Sequence, residues 1–348
     1  MPVERFAARL IEWQRLHGRH GLPWQGTRDP YRIWLSEIML QQTQVATVQG
    51  YYHRFLQHFP DVAALAQASE DEVLALWSGL GYYSRARNLH AAARQVVAEH
   101  GGVFPHSAAE LSALPGIGRS TAAAVAAFAS GEQVAILDGN VKRVLARLLG
   151  VREVIRGAVE RGLWDTAQSL LPAQGIEAYT QGLMDLGATV CTPRKPRCGA
   201  CPFQTDCAAY RSGDPEAVPK RPAPRGPRVT RDCYMLVLHH EQHVLLVKRP
   251  PAGVWASLWC FPEYQSVSEA ETLGSEHKLI GVMRPGPDIR HSFTHFDLTV
   301  HPLLGEVLAT AGHARESSMR WVHTTALSQL GVPAIVGKLL AACSLPPA

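Results

Sequence analysis

Four cysteines, Cys191, Cys198, Cys201 and Cys207, fall within seventeen residues of a 348-residue chain, separated by six, two and five residues. Four thiolates in so short a stretch can converge on one inorganic centre, and four is the ligand count of a 4Fe-4S cluster. A four-cysteine zinc site is the alternative. Structural zinc usually draws its ligands from two short C-x-x-C knuckles, and only Cys198 and Cys201 are so spaced. The complete set of seven cysteines is odd, which suits metal ligation in a reducing compartment better than a disulfide framework. Cys233, Cys260 and Cys343 read as packing residues. Between the first two clustered thiols lie Arg194, Lys195 and Arg197, either a solvated loop or a tethered basic patch for a phosphate backbone.

Around this cluster the chain is too long for one ordinary core, so two or three domains are expected. Residues 1–211 carry apolar side chains at spacings of three and four, as in Ile33, Leu35, Ile38, Met39 and Val45, and read as all-α. From 212 to 230 the sequence SGDPEAVPKRPAPRGPRVT is rich in proline and arginine, unsuited to a helix or central strand, and is expected to be an extended connector. Beyond it, CYMLVLHH and VLLVKR read as a hairpin, LTVHPLL as a later strand and 335–343 as a terminal helix, giving an α+β domain over 231–348. No stretch is apolar enough to span a membrane. Met1 to Leu16 mixes charges with apolar residues at helical spacing, unlike a signal or transit peptide, so an intracellular, cytoplasmic location is expected. A net charge of +4 favours nucleic acid only weakly, and composition leaves the function open.

Two further stretches carry chemistry. Leu114-Pro115-Gly116-Ile117-Gly118 lies between helical segments, where glycines let backbone N–H groups approach an anion and the next helix N-terminus adds a positive dipole end. Such a turn is at least as often a plain helix connection. In ILDGNVKRVLAR, Asp138 precedes a helical run and can cap it; in WLSEIMLQQTQVATV, Glu37 sits in an apolar helix, where burial without a cation raises a carboxyl pKa. One protonated and one ionised carboxyl are what cleavage of a glycosidic bond requires, although the sequence does not place the two together. The plain alternatives are a simple cap for Asp138 and a solvent-facing or arginine-paired Glu37.

The cysteine spacing, Leu114 to Ala127, LSEIMLQQTQVATV and LDGNVKRV occur together in an order that resembles the endonuclease III and MutY superfamily of DNA glycosylases, and within it the MutY-type adenine glycosylases. The resemblance spans nearly the whole chain. It implies a helix-hairpin-helix glycosylase fold with a six-helix subdomain at about 29–130, an iron-sulfur subdomain of 1–28 with 131–211, and a Nudix-like lesion-recognition domain at 231–348. Its cofactor would be a 4Fe-4S cluster with a structural and DNA-docking role. Its substrate would be adenine opposite 8-oxoguanine or guanine in duplex DNA, bound by a monomer at the nucleoid. By this likeness Glu37 protonates adenine at N7, Asp138 stabilises or transiently bonds the sugar C1′, and Asn140 positions sugar and water. Ser120 stands where endonuclease III has its lyase lysine, and a hydroxyl forms no Schiff base, so weak or absent strand cutting is expected.

The same likeness makes Pro115, Gly116 and Gly118 a backbone-gripping hairpin and Gln42 and Tyr82 intercalating wedges for base flipping. Gln41 and Gln44 would meet exposed base edges, Lys142 a phosphate or solvent, and Trp24 would line the adenine pocket or cover core. In RHSFTHFDL at 290–298, Phe293, Thr294 and His295 match the loop that probes 8-oxoguanine, with Thr294 in place of a common serine. No R-E-x-x-E-E metal helix is present, which argues against phosphohydrolase activity. Two alternatives remain at this level: an endonuclease III-like pyrimidine glycosylase, and a non-enzymatic iron-sulfur DNA sensor.

Overall fold

A computed structural model describes residues 3–223, 226–293, 295–310 and 318–345. Among them, the apolar spacing of the first 211 residues produces helices and no strand. In chain order these are α1 Val3–His17, α2 Pro30–Leu40, α3 Val45–His58, α4 Val62–Gln67, α5 Glu70–Trp77, α6 Ser84–His100, α7 Ala108–Leu111, α8 Arg119–Ser130, α9 Gly139–Leu149, α10 Ala158–Ser169, α11 Ile176–Asp185 and α12 Ala208–Arg211. Short polar side chains start several of them: Asp29 accepts from Tyr31 N, Ser69 forms a capping box with Glu72, and Asp138 accepts from Val141 N. No helix is long and apolar enough to cross a membrane among the described residues.

The chain divides into two units, residues 1–66 with 91–224 and residues 67–90 with 225–348. In the first, α1, α8, α9 and α11 close around Phe6, Leu10, Ala124, Leu137, Val141, Leu145, Tyr179 and Leu183. Each large side chain so buried contributes about 1.5–3 kcal/mol. This core holds the start of α9, with Leu137 and Val141 on either side of Asp138.

In the second unit β1 Val229–His240 and β7 Phe296–Glu306 run parallel at the centre of a sheet, Val229 opposite Phe296 and His239 opposite Glu306. The strands β2 His243–Lys248, β3 Trp259–Cys260, β4 Glu263–Tyr264, β5 Arg284–Pro285, β6 Ile289–Ser292 and β8 Met319–His323 complete the sheet around them. Its helices include α13 Val267–Glu276 and α14 Ala334–Ala342, so this unit is α+β.

Two boundaries differ from those expected. Residues 67–90, placed by sequence inside the helical region, group with the C-terminal unit. Asp71 Oδ1 accepts from Lys248 Nζ at 2.9 Å and from Trp259 Nε1 at 3.2 Å, and a Cβ on Gly331 would lie 2.5 Å from Leu74 Cβ, so α5 packs there without a gap. The stretch 212–230 is not a plain extended connector. It contains a turn of 3₁₀ helix at Pro215–Ala217, buries Val218, and has Lys220 N donating to Arg152 O at 3.0 Å, while β1 already begins at Val229. Proline removes a donor but leaves every carbonyl free to accept, and Arg147 Nε takes that of Val218 at 2.9 Å.

Candidate active site

Helix α2 buries Ile33, Trp34, Leu35, Ile38 and Met39, which leaves Glu37 as the one carboxylate in an apolar helix. It is half-buried at the wall of a cavity of about 590 Å³, together with Trp24, Ile33, Ser36, Phe128 and Gln181. No hydrogen bond or ion pair reaches its carboxyl among the described residues. Burial raises its pKa from 4.5 to about 7, and the negative charge of Asp138 pushes the same way. Glu37 is thus an acid poised to give up its proton near neutrality. Trp24 is buried, edge-on to Tyr52 at 5.4 Å, and lines the same cavity.

Asp138 stands in opposite surroundings, at the N-terminus of α9. Its Oδ1 accepts from Val141 N at 2.8 Å, and Oδ2 lies 3.4 Å from Asn140 Nδ2. Ser120 acts on the adjoining residue, its Oγ accepting from Leu137 N at 3.0 Å. The hydroxyl therefore braces the chain that delivers Asp138. Lys142, one turn into α9, is held by Glu160 at 2.5 Å. Asp138 is not part of the cavity lining, yet its field reaches Glu37, so the two carboxyls share one neighbourhood.

Asn140 is held from both sides. Arg143 Nη2 donates to Asn140 Oδ1 and to Gly187 O, each at 2.8 Å, and Arg143 Nε donates to Cys191 O at 2.7 Å. Gly187 belongs to a π-helical turn, Leu186–Val190, that carries α11 into the first clustered cysteine. A Cβ on Gly187 would lie 2.5 Å from Asn140 Cβ. The backbone of the cysteine loop and the Asp138 cap are in this way parts of one hydrogen-bonded unit. Sequence reading singled out neither Arg143 nor Gly187; the helical spacing of Arg143 from Gly139 is the only local signal.

All four clustered cysteines line one small cavity with Arg147, Gln204 and Tyr210. No three histidine, cysteine or acidic side chains come close enough to share a single metal ion among the described residues. The four thiols surround one small space, and four thiolates are the ligand set of a 4Fe-4S cluster. Burial, with the neighbouring sulfurs adding to it, pushes Cys201 up to about 12, so its thiolate needs a cation beside it. Arg147 is itself buried and donates to Thr192 O at 2.7 Å and toward Cys191 Sγ at 3.4 Å. Arg194, Lys195 and Arg197 are exposed, and Lys195 is held at φ +47°. Cys233 and Cys260 are buried and Cys343 half-buried, as packing residues would be.

The predicted hairpin joins α7 to α8, with Gly116 at φ +76° and Gly118 as the N-cap of α8, its preceding loop including Pro115. Both wedge candidates, Gln42 and Tyr82, have left-handed backbones at φ +58° and +50°, and Tyr82 is exposed. Non-glycine residues rarely adopt this conformation, and strain of this kind concentrates at functional positions. Within the second unit Arg85 lies over the Tyr82 ring at 5.7 Å and donates to Gly81 O at 3.1 Å. Gln41 Nε2 donates to Thr121 Oγ1 at 3.3 Å, and Gln44 caps α3 without a side-chain bond. Phe293, half-buried, stacks on Phe296 at 4.6 Å and beside His291, and His295 is exposed; Thr294 lies outside the described residues.

Residues 35–168 match the profile of the HhH-GPD superfamily of base excision DNA repair proteins, 191–207 that of the iron-sulfur binding domain of endonuclease III, and 233–342 that of the NUDIX domain. The adenine DNA glycosylase of Buchnera aphidicola subsp. Baizongia pistaciae is 33% identical over 96% of this chain and 95% of its own length. The adenine DNA glycosylase of Mus musculus is 38% identical over 85% of this chain and 70% of its own. Among solved structures, a thermostable thymine-DNA glycosylase aligns with 60% of this chain and 97% of its own at 30% identity and a TM-score of 0.55. Endonuclease III in a non-covalent DNA complex shares the fold, with a TM-score of 0.50 at 21% identity over 61% of this chain and 98% of its own. Residues 191–207, which include the four clustered cysteines, accordingly form an iron-sulfur binding domain.

Proposed function

The chain belongs to the adenine DNA glycosylase family of base-excision repair, and from that premise we propose how its two carboxyls release adenine. The observation that carries the reading is the contrast between Glu37, held protonated near neutrality at a cavity wall, and Asp138, whose charge acts on it from a helix cap. An everted adenine enters the cavity beside Trp24. Glu37 delivers its proton to N7, the electrons of the N-glycosidic bond pass to the departing base, and positive charge develops at C1′ and the ring oxygen. Asp138 stabilises that oxocarbenium or bonds C1′ transiently, and water held by Asn140 completes hydrolysis. Cys191, Cys198, Cys201 and Cys207 would hold the iron-sulfur cluster, which would brace the 192–197 loop and supply nothing to the bond cleavage.

The target is adenine opposite 8-oxoguanine or guanine in duplex DNA. The amides of Gly116 and Gly118 and the α8 N-terminus hold phosphate, as the basic loop of Arg194 and Arg197 does. Gln42 and Tyr82, already in strained backbones, fill the gap left by the flipped nucleotide, with Gln41 and Gln44 beside the exposed bases. Lys142, released from Glu160, is a further phosphate contact. Phe293, Thr294 and His295 probe the opposing lesion. One chain supplies every group, so a monomer acting on the chromosome inside the cell suffices. Because Ser120 offers a hydroxyl and not an amine, the abasic strand is left largely uncut.

Incubation with duplexes carrying adenine opposite 8-oxoguanine, adenine opposite guanine, and thymine glycol tests this. Rapid release of free adenine from the first, slower release from the second and no action on the third are expected, with strand breaks only after alkali. Excision of thymine glycol with direct strand cutting would replace this reading by a pyrimidine glycosylase.

A further inference from the structure

The turn between β2 and β3 places two side-chain-bearing residues where glycine would be expected. Trp255 and Ser257 have left-handed backbones at φ +53° and +61°, and both are buried. A bulky aromatic rarely adopts this conformation, and such a backbone persists only where its surroundings over-determine it. Here they do: Ser257 N donates to Pro250 O at 3.0 Å, Leu258 N to Trp255 O at 3.0 Å, and Arg87 Nη1 to Ala256 O at 2.9 Å. What the tied turn fixes is the place of the Trp255 indole.

That indole leans on the turn between β6 and β7. Its ring lies 5.3 Å from Phe293 and 5.5 Å from His291, and these two rings are 4.6 Å apart. Phe293 stacks in turn on Phe296 at 4.6 Å, with Arg231 over the Phe296 ring at 4.5 Å, and Phe293 N donates to Phe296 O at 2.9 Å. Phe293 is thus engaged by Trp255 as well as by Phe296, and it cannot swing out without leaving both. Aromatic pairs of this kind add to plain burial and set the angle of a ring as well as its depth. The exposed His295 is carried by the same turn.

Tips of turns are ordinarily the mobile part of a domain. A probe on one can tell guanine from 8-oxoguanine only if it stays in place, because the two bases differ by an oxo group at C8 and a proton at N7. A hydrogen bond placed for that difference tolerates an error of about half an ångström. The chemistry proposed at Glu37 and Asp138 makes no use of Trp255, whereas a probing turn needs such a support.

We propose that Trp255 is a positioning residue that, through Phe293, fixes the lesion-probing turn and so sets the preference for 8-oxoguanine over guanine opposite adenine. The inference rests on the reading of that turn given above. Single-turnover adenine release is measured from duplexes with adenine opposite 8-oxoguanine and opposite guanine, using the cluster-loaded full chain. Trp255→Leu should narrow the ratio of the two rates by about threefold to tenfold, the worth of one aromatic contact, and entirely through slower release opposite 8-oxoguanine. Trp255→Phe keeps a ring against Phe293 and should restore most of the ratio. Phe293→Leu should narrow it too, and the double variant should go no further than the larger single effect, as for two residues acting as a unit.

Equal slowing on both duplexes, or an unchanged ratio, in Trp255→Leu overturns the proposal, and so does full additivity in the double variant. If Trp255→Leu gives no folded protein, Trp255→Met, which keeps bulk without a rigid ring, decides by the same outcomes. Narrowing by Phe293→Leu but not by Trp255→Leu overturns this inference alone. A Phe293→Leu variant with the wild-type ratio, or a wild type without preference, defeats the reading of the turn on which it rests.

Discussion

The stretch of α2 around Glu37 and the start of α9 around Asp138 hold the same functional group in opposite company. Glu37 has apolar neighbours, a cavity beside it and no donor among the described residues, and burial lifts its pKa to about 7. Asp138 is met by a backbone N–H and by the Asn140 amide at a helix N-terminus. In the proposed reaction surroundings, and not residue type, divide the work between a proton donor and an anion. They also couple the two: burial holds the proton on Glu37, and the charge at the cap adds to it.

If the division is real, the substitutions that test it should differ in kind. Glu37→Gln removes the acid and should slow adenine release by about 10²–10⁴-fold in single-turnover assays. It should also stabilise the protein above neutrality. The folded pKa of about 7 lies above the ordinary 4.5, so the folded state holds its proton after the unfolded state has lost it, and stability falls as pH rises between these values. Removing the titration should recover up to about 3 kcal/mol at pH 8 in urea unfolding. An unstable Glu37→Gln would mean that the carboxylate has stabilising partners. Asp138→Asn should cost about 10²–10³-fold in release with mismatch binding retained, and bring no comparable gain in stability. Parallel loss of binding and release would make Asp138 a cap only.

The coupling itself has a pH signature. Release depends on protonated Glu37, so in the wild type the rate at saturating enzyme should fall about tenfold per pH unit above about 7. Asp138→Asn removes the charge that helps raise this pKa, and what rate remains should begin to fall at a lower pH. A midpoint that does not move would show that desolvation alone tunes Glu37.

Local features of the site were open to sequence reading. Asp138 precedes a helical run and Glu37 interrupts an apolar one, and both patterns are complete within about ten residues; the cysteines and the hairpin are likewise contiguous. Contacts between distant residues were not. Arg19 and Asp185 are 166 positions apart, and nothing in either segment marks the other as its partner. Helix α5 carries the same periodicity whichever core it covers, so its membership of the second unit became visible only through Asp71 and Leu74. Proline content in 212–230 correctly excluded long helices. It said nothing of whether carbonyls such as that of Val218 would be taken up by a neighbour.

Gly187 gives the smallest and most discriminating test. Its local sequence, LGATV, offers no reason for glycine: φ here is not in the left-handed region, and the π-helical turn would accept alanine. The reason is Asn140, whose Cβ would stand 2.5 Å from a new methyl group. Gly187→Ala must push α9 and the turn apart by several tenths of an ångström, straining the Arg143 bonds that join Asn140 to the cysteine loop. Overpacking of this kind costs about 1–3 kcal/mol in stability. Asp138 keeps its own bond to Val141 N, so the anion stays in place while the Asn140 amide shifts. Adenine release should drop by about tenfold, with the Glu37 pH midpoint unmoved and the cluster retained. A shifted midpoint would show that Asp138 moves with Asn140 and that the two helix starts are less separate than their hydrogen bonds imply. An unchanged rate would mean that the Asn140 amide does not position the reacting groups.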